Sequence, residues 1–139
     1  MNKKLCEAAL AALKADGFPT RPGYCQMWVR LVVESVYGKQ FEALIHEPSA
    51  GAAGWRFKED GEFVVPLERG SVPGDLLYKL TGSGGYGHVG IRVPGNLVAE
   101  NSSVHITDGR DRDARGCRTL REYGDFDVIV RLPSKRARR

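Results

Sequence analysis

The feature that most constrains this chain is a change of hydrophobic period before its midpoint. Between residues 3 and 37 apolar side chains recur at helical spacing, and from 62 to 132 they alternate along short runs. A helix face and a strand face bury their side chains in different geometries, so the two halves must form different layers. Helices followed by short strands with tight turns specify an α+β domain, its N-terminal helices packed on an antiparallel sheet.

Leu5, Ala9, Leu10 and Leu13 predict a helix over 3–16, with Cys6 beside the apolar stripe and Gly17 as its stop. Residues 18–23 hold two prolines and a glycine and form an irregular approach. A second helix is expected over 24–37, with Met27, Trp28, Leu31, Val32 and Ser35 inward and Gly38 at its end. Pro48, Gly51, Gly54 and Gly61 read as breaks, so 39–61 is expected to be loop-rich. Strands are expected over 62–67, 76–80, 88–93, 97–102 and 126–132, and a polar loop over 108–116. In the strand 88–93, Val89, Ile91 and Val93 point one way and His88, Gly90 and Arg92 the other, which leaves the imidazole accessible away from the apolar side.

The length of 139 residues suits one domain, placed at 1–134, with a basic tail at 135–139. The net charge of +4 lies entirely in that tail, since residues 1–134 carry 17 basic and 17 acidic side chains. A formally neutral folded part argues against specific nucleic-acid binding and leaves the tail a weak contact with an anionic surface. No apolar run is long enough for a membrane span. The start of the chain makes a poor secretory signal, which implies cytoplasmic synthesis. Cys6, Cys25 and Cys117 are odd in number and none has C-x-x-C spacing, so reduced thiols are expected and neither a metal nor another cofactor.

Candidate chemistry centres on Cys25. It opens a helix after a Pro-Gly segment, where the first-turn N–H groups favour a thiolate. Such a nucleophile needs a base, and His88 follows a glycine-rich loop at the start of a strand. That base needs a polar group to orient it, and the returning strand supplies Glu100 and Asn101. Which of them faces His88 depends on register. If paired residue numbers sum to 190, Glu100 shares the face of His88; a two-residue Gly95-Asn96 turn gives 191 and selects Asn101. Each residue alone is commonly a core or surface group, but the ordered set favours catalysis.

The segments Gly23-Tyr24-Cys25-Gln26-Met27-Trp28-Val29-Arg30, Pro73-Gly74-Asp75-Leu76 and Gly87-His88-Val89-Gly90-Ile91 resemble the CHAP and NlpC-type cysteine peptidases and amidases. The resemblance covers roughly residues 18–103. It implies a compact papain-like fold and hydrolysis of an amide bond in peptidoglycan, with Cys25 as nucleophile and His88 as general base and acid. The NlpC-type pattern puts its third polar residue twelve after the histidine, at Glu100. The CHAP pattern has Glu followed by Asn, so Asn101 is the alternative. Gln26 and Met27 stand where the NlpC type usually has Ser and Gly. Tyr24, beside the nucleophile, is a candidate hydrogen-bond donor near the oxyanion. The implied setting is a phage lysin, a tail component or an effector delivered to the bacterial wall. Rival readings are a papain-like module that binds a wall peptide or protein without cleaving it, and an intracellular cysteine hydrolase.

Other signals are weaker. Gly82-x-Gly84-x-x-Gly87 matches a dinucleotide fingerprint but precedes a strand rather than a helix. Asp108, Asp111 and Asp113 alternate with Arg110, Arg112 and Arg115, which predicts a salt-bridged loop, with calcium a lesser alternative. His46 and His105 have no partner at useful spacing, and Cys117 sits in the expected polar loop without a base.

Overall fold

The computed structural model describes residues 1–39, 46–106 and 112–134. Asp108, Arg110, Asp111 and the basic tail lie outside the described residues. The first helix, α1 (Lys3–Ala12), is capped by Asn2, whose Oδ1 accepts from the Leu5 N–H at 3.2 Å. It stops short of the expected 3–16. Arg115 Nη1 donates to the carbonyls of Ala12 and Ala15 at 3.0 and 2.6 Å, and Trp28 Nε1 donates to that of Ala12 at 3.3 Å. These donors satisfy carbonyls that another helical turn would have used. The buried face is Leu5, Cys6, Ala9 and Ala12; Leu10 is exposed and Leu13 half-buried, contrary to the stripe expected for them.

Helix α2 (Cys25–Tyr37) ends at Gly38 as expected. Trp28, Val29, Val32, Val33 and Tyr37 turn inward, while Met27 and Ser35 are exposed and Leu31 half-buried. A third helix, α3 (Ala50–Asp60), replaces much of the expected loop. Ser49 caps it through Oγ, accepting from the Ala52 N–H at 3.1 Å. Its glycines are contact points rather than breaks. A Cβ at Gly54 would lie 2.7 Å from Leu80 Cδ2 and 3.1 Å from Tyr78 Cβ, so the missing side chain lets the helix sit close on the sheet.

The sheet has six strands: β1 (Val64–Val65), β2 (Leu76–Lys79), β3 (His88–Val93), β4 (Leu97–Asn101), β5 (Arg115–Thr119) and β6 (Val128–Val130). Their spatial order is β1-β6-β2-β3-β4-β5, and every neighbouring pair is antiparallel. The α+β class is therefore as expected. The strands expected over 62–67 and 126–132 shrink to two and three residues. The edge strand β5 was expected as loop through residue 116; Asp113, just before it, does pair with Arg115 at 2.8 Å. Cys117 thus lies in a strand, opposite Ala99, and not in a loop.

Helices α1, α2 and α3 cover one sheet face, where Leu5, Trp28, Val32, Tyr78, Val89 and Ile91 are all buried in the main core. The other face carries a smaller cluster of Val65, Leu77, Val98 and Ile129, closed by Tyr123 of the short helix α4 (Leu120–Tyr123). Among the described residues no helix is long and apolar enough to cross a membrane.

Candidate active site

Cys25 is the first residue of α2, and the chain enters it through a tethered loop. Asn101 Nδ2 donates to the Pro19 carbonyl at 2.9 Å, and the Ala114 N–H donates to that of Thr20 at 2.8 Å. The neighbours of Cys25 anchor the helix start. Trp28 is fully buried, and Gln26, also buried, accepts from the Tyr78 hydroxyl at 3.4 Å. Cys25 itself remains partly exposed, and no side chain caps the helix in front of it. The first-turn N–H groups have no carbonyl partner within the helix, and their partial positive charge lies at the end of α2 that Cys25 opens.

His88 starts β3 immediately after Gly87. A left-handed φ of +75° and contact with backbone make that glycine necessary, since a Cβ there would lie 2.4 Å from the Lys79 carbonyl oxygen and 2.6 Å from Gly51 N. The same segment is fastened to the start of α3, where the Gly51 N–H donates to the Tyr86 carbonyl at 2.7 Å. The side chain is 11% exposed, so the expectation that it would be openly accessible is corrected: it is buried except where it meets the cleft. There it shares the cleft wall with Cys25, whose side chain is close enough to help hold the imidazole proton.

Register selects the third residue. Ile91 pairs with Ala99, Arg92 with Val98 and Val93 with Leu97, so paired numbers sum to 190. Pro94-Gly95-Asn96 therefore forms a three-residue loop. Asn96 adopts the left-handed conformation at φ +55°, its carbonyl accepts from the Leu120 N–H at 2.7 Å, and its Oδ1 accepts from Arg92 Nη2 at 2.8 Å. Glu100 consequently shares the face of His88, and its Oε1 lies 2.7 Å from His88 Nε2. Asn101 points the other way, to Pro19, and is not the residue that orients His88. Its Oδ1 is buried without a partner among the described residues.

Glu100 is fully buried, and four nitrogens converge on it. Oε1 accepts from His88 Nε2 at 2.7 Å and Arg118 Nη2 at 2.9 Å; Oε2 accepts from Arg118 Nε at 2.6 Å and His105 Nε2 at 2.9 Å. An ionised carboxylate only accepts, so both imidazoles carry their proton on Nε2. In neutral His88 this leaves Nδ1 as a lone pair for the thiol proton.

The electrostatics keep Glu100 ionised. Burial alone would hold Glu100 up, but hydrogen bonds and charge from His88 and Arg118 bring it down to about 2. Burial alone would depress His88, yet the neighbouring Cys25 and the hydrogen bond and charge of Glu100 raise it to about 8. Burial pushes the Cys6 thiol up, and burial with the nearby Glu100 charge does the same to Cys117, so neither favours the thiolate. Tyr123 closes the far side, its ring centroid 5.6 Å from that of His88 and its hydroxyl donating to the Leu77 carbonyl at 2.7 Å.

Cys25 and His88 line a cleft of about 860 Å³, together with Tyr24, Met27, Tyr86, Asn101 and Ser103. Tyr24 stands at its rim, 44% exposed. Of the predicted residues, Cys25, His88 and Tyr24 line one cleft, and Glu100 bonds His88 from behind it. Arg118 and His105 were missed. Arg118 lay in a segment too polar to read as a strand, and His105 sits in a single turn at Ser103–His105 that no periodicity marks. The expectation that His46 and His105 lack partners is also corrected. His105 bonds Glu100, and His46 lines the cleft and has an interaction of its own. No protein-family model matches the chain, and neither the curated proteins nor the solved structures yield a significant match.

Proposed function

We propose that this protein is a cysteine peptidase or amidase that hydrolyses an amide bond in a peptidoglycan peptide. The observation that carries the reading is that Cys25 and His88 line one open cleft while His88 Nε2 bonds the buried Glu100 carboxylate at 2.7 Å. The sequence resemblance to the CHAP and NlpC-type enzymes supplies the substrate class, and a papain-like relationship accompanies it.

In this mechanism His88 Nδ1 takes the Cys25 proton and the sulfur attacks the amide carbonyl carbon. The resulting oxyanion faces backbone N–H groups at the start of α2, including that of Cys25. His88 then returns the proton to the departing amine, which leaves a thioester on Cys25. A water molecule gives a proton to His88 and attacks the thioester, and breaking the S–C bond frees the acid and restores the thiol. Glu100 keeps the Nε2 proton in place and stabilises the imidazolium formed at each transfer. The exposed side chains of Tyr24, Met27 and Tyr86 around the cleft offer contact area for a peptide on either side of the cut bond. The site of action on this reading is the bacterial wall, reached from a phage particle or by other export machinery.

Incubation with purified peptidoglycan, with new free amines counted and the released muropeptides identified by mass, tests the proposal. Wild-type protein should release amines, and Cys25→Ser should lower the rate by at least about 10³-fold. Equal release from both would remove the catalytic reading and leave a binding module.

A further inference from the structure

The catalytic reading uses one of the two imidazoles on Glu100 and leaves His105 unexplained. His105 sits in the Ser103–His105 turn, its side chain only 15% exposed, with Nε2 2.9 Å from Glu100 Oε2. Space for it is made by β5: a Cβ at Gly116 would lie 2.6 Å from His105 Nδ1. The two oxygens of Glu100 thus each hold one imidazole and one arm of the Arg118 fork, which fills the acceptor capacity of the carboxylate.

Donors on one carboxylate compete for its charge. Each N–H that draws on Glu100 leaves less negative charge to stabilise an imidazolium at His88. We infer that His105 is a positioning residue that moderates the hold of Glu100 on His88, and so sets how readily the catalytic histidine gives up its proton. The inference rests on the proposed cysteine-hydrolase reading, in which His88 must both take and release a proton. Other groups act on this cluster without titrating in the same range or without touching the carboxylate. Arg118 stays cationic, Lys79 of β2 and Tyr123 of α4 flank the Glu100 charge, and Cys117 of β5 feels it. Glu122 of α4 feels His105, and Cys25 of α2 faces His88 from the cleft.

The test is an NMR titration of the His88 ring protons in the intact protein without substrate. Removing His105 with His105→Ala should raise the His88 midpoint by about half a pH unit, because Glu100 then concentrates its charge on fewer donors. His105→Gln, which keeps an N–H donor but cannot titrate, should return the midpoint to the wild-type value. Gly116→Ala, which pushes His105 away without deleting it, should reproduce the upward shift. A turn that merely packs would give the opposite sign, since loosening it lets His88 drift down toward its ordinary 6.5. An unchanged or lowered midpoint in His105→Ala and Gly116→Ala therefore overturns the inference. The titration involves no amide cleavage, so a protein inactive on peptidoglycan that still shows the upward shift loses the proposed function and keeps only the coupling of His105 to His88 through Glu100.

Discussion

Two fully buried carboxylates, Glu100 and Asp75, are each gripped by an arginine fork, yet their surroundings give them different work. Asp75 is 1% exposed; Arg131 Nε and Nη2 donate to its two oxygens, both at 2.9 Å, and the Val72 N–H donates at 2.8 Å. Glu100 has a similar fork from Arg118 and two imidazoles where Asp75 has a backbone N–H. A backbone donor neither titrates nor moves, so Asp75 locks the turn that launches β2. Imidazoles exchange protons, and one of those on Glu100 also meets a thiol at a cleft. The smaller hollow beside Asp75, about 350 Å³, has neither group in its wall. A buried carboxylate–arginine pair is thus no sign of catalysis by itself. What separates the two sites is whether the remaining acceptor positions hold groups that titrate.

The comparison breaks most easily on activity. Glu100→Gln should lower amide hydrolysis by about 10⁴-fold, because an amide can present an N–H and favour the wrong His88 tautomer. Asp75→Asn should leave the rate of the folded protein unchanged. A large loss from Asp75→Asn, with the fold intact by circular dichroism, would erase the distinction between the two carboxylates. Stability reads the same contrast from the other side. Asp75→Ala leaves Arg131 and the Val72 N–H without their partner and should cost about 3 kcal/mol in urea unfolding.

Stability against pH separates the two sites further. Glu100 is depressed from 4.5 to about 2, so its stabilising share is present above pH 4.5 and is lost as pH falls through 2. His88 is raised from 6.5 to about 8, so its share is complete below pH 6.5 and is lost as pH rises through 8. These two groups together favour the native state most between pH 4.5 and 6.5. Melting temperatures of His88→Gln should lose the decline between pH 6.5 and 8, whereas Asp75→Asn should keep it. The smallest effect belongs to the loop tether. Asn101→Ala removes one hydrogen bond to Pro19 and should cost about 1 kcal/mol, with a modest fall in the rate of Cys25 alkylation as the helix entry loosens.

Legibility in the sequence followed the range of the forces involved. The strand at 88–93 was readable because alternation is local, and so was α2, which starts at Cys25 after a Pro-Gly segment and stops at Gly38. Helix α3 was not, because Gly51 and Gly54 break helices in isolation and here are favoured only by the close approach of β2 and the Tyr86 carbonyl. The edge strand β5 escaped notice because its polar residues serve Glu100 and the end of α1 rather than a hydrophobic face. Leu10, apolar yet exposed, shows the converse: periodicity names a helix more reliably than it names the helix's inward direction.

Residue order alone determined that helices precede an antiparallel sheet, that a cysteine opens one helix, and that a histidine opens the central hairpin. Tertiary structure decided which polar neighbour joins them. Side chains alternate along a strand, so one residue of slip would have exchanged Glu100 for Asn101, and the choice fell to a three-residue loop held by Arg92 and Leu120. It also decided that Arg118, eighteen residues on, and His105, five residues on in an irregular turn, complete the shell of the buried carboxylate, though no pattern marks either. The physical reason is that removing a charge from water demands donors on every open lone pair, and only the folded chain can bring them together.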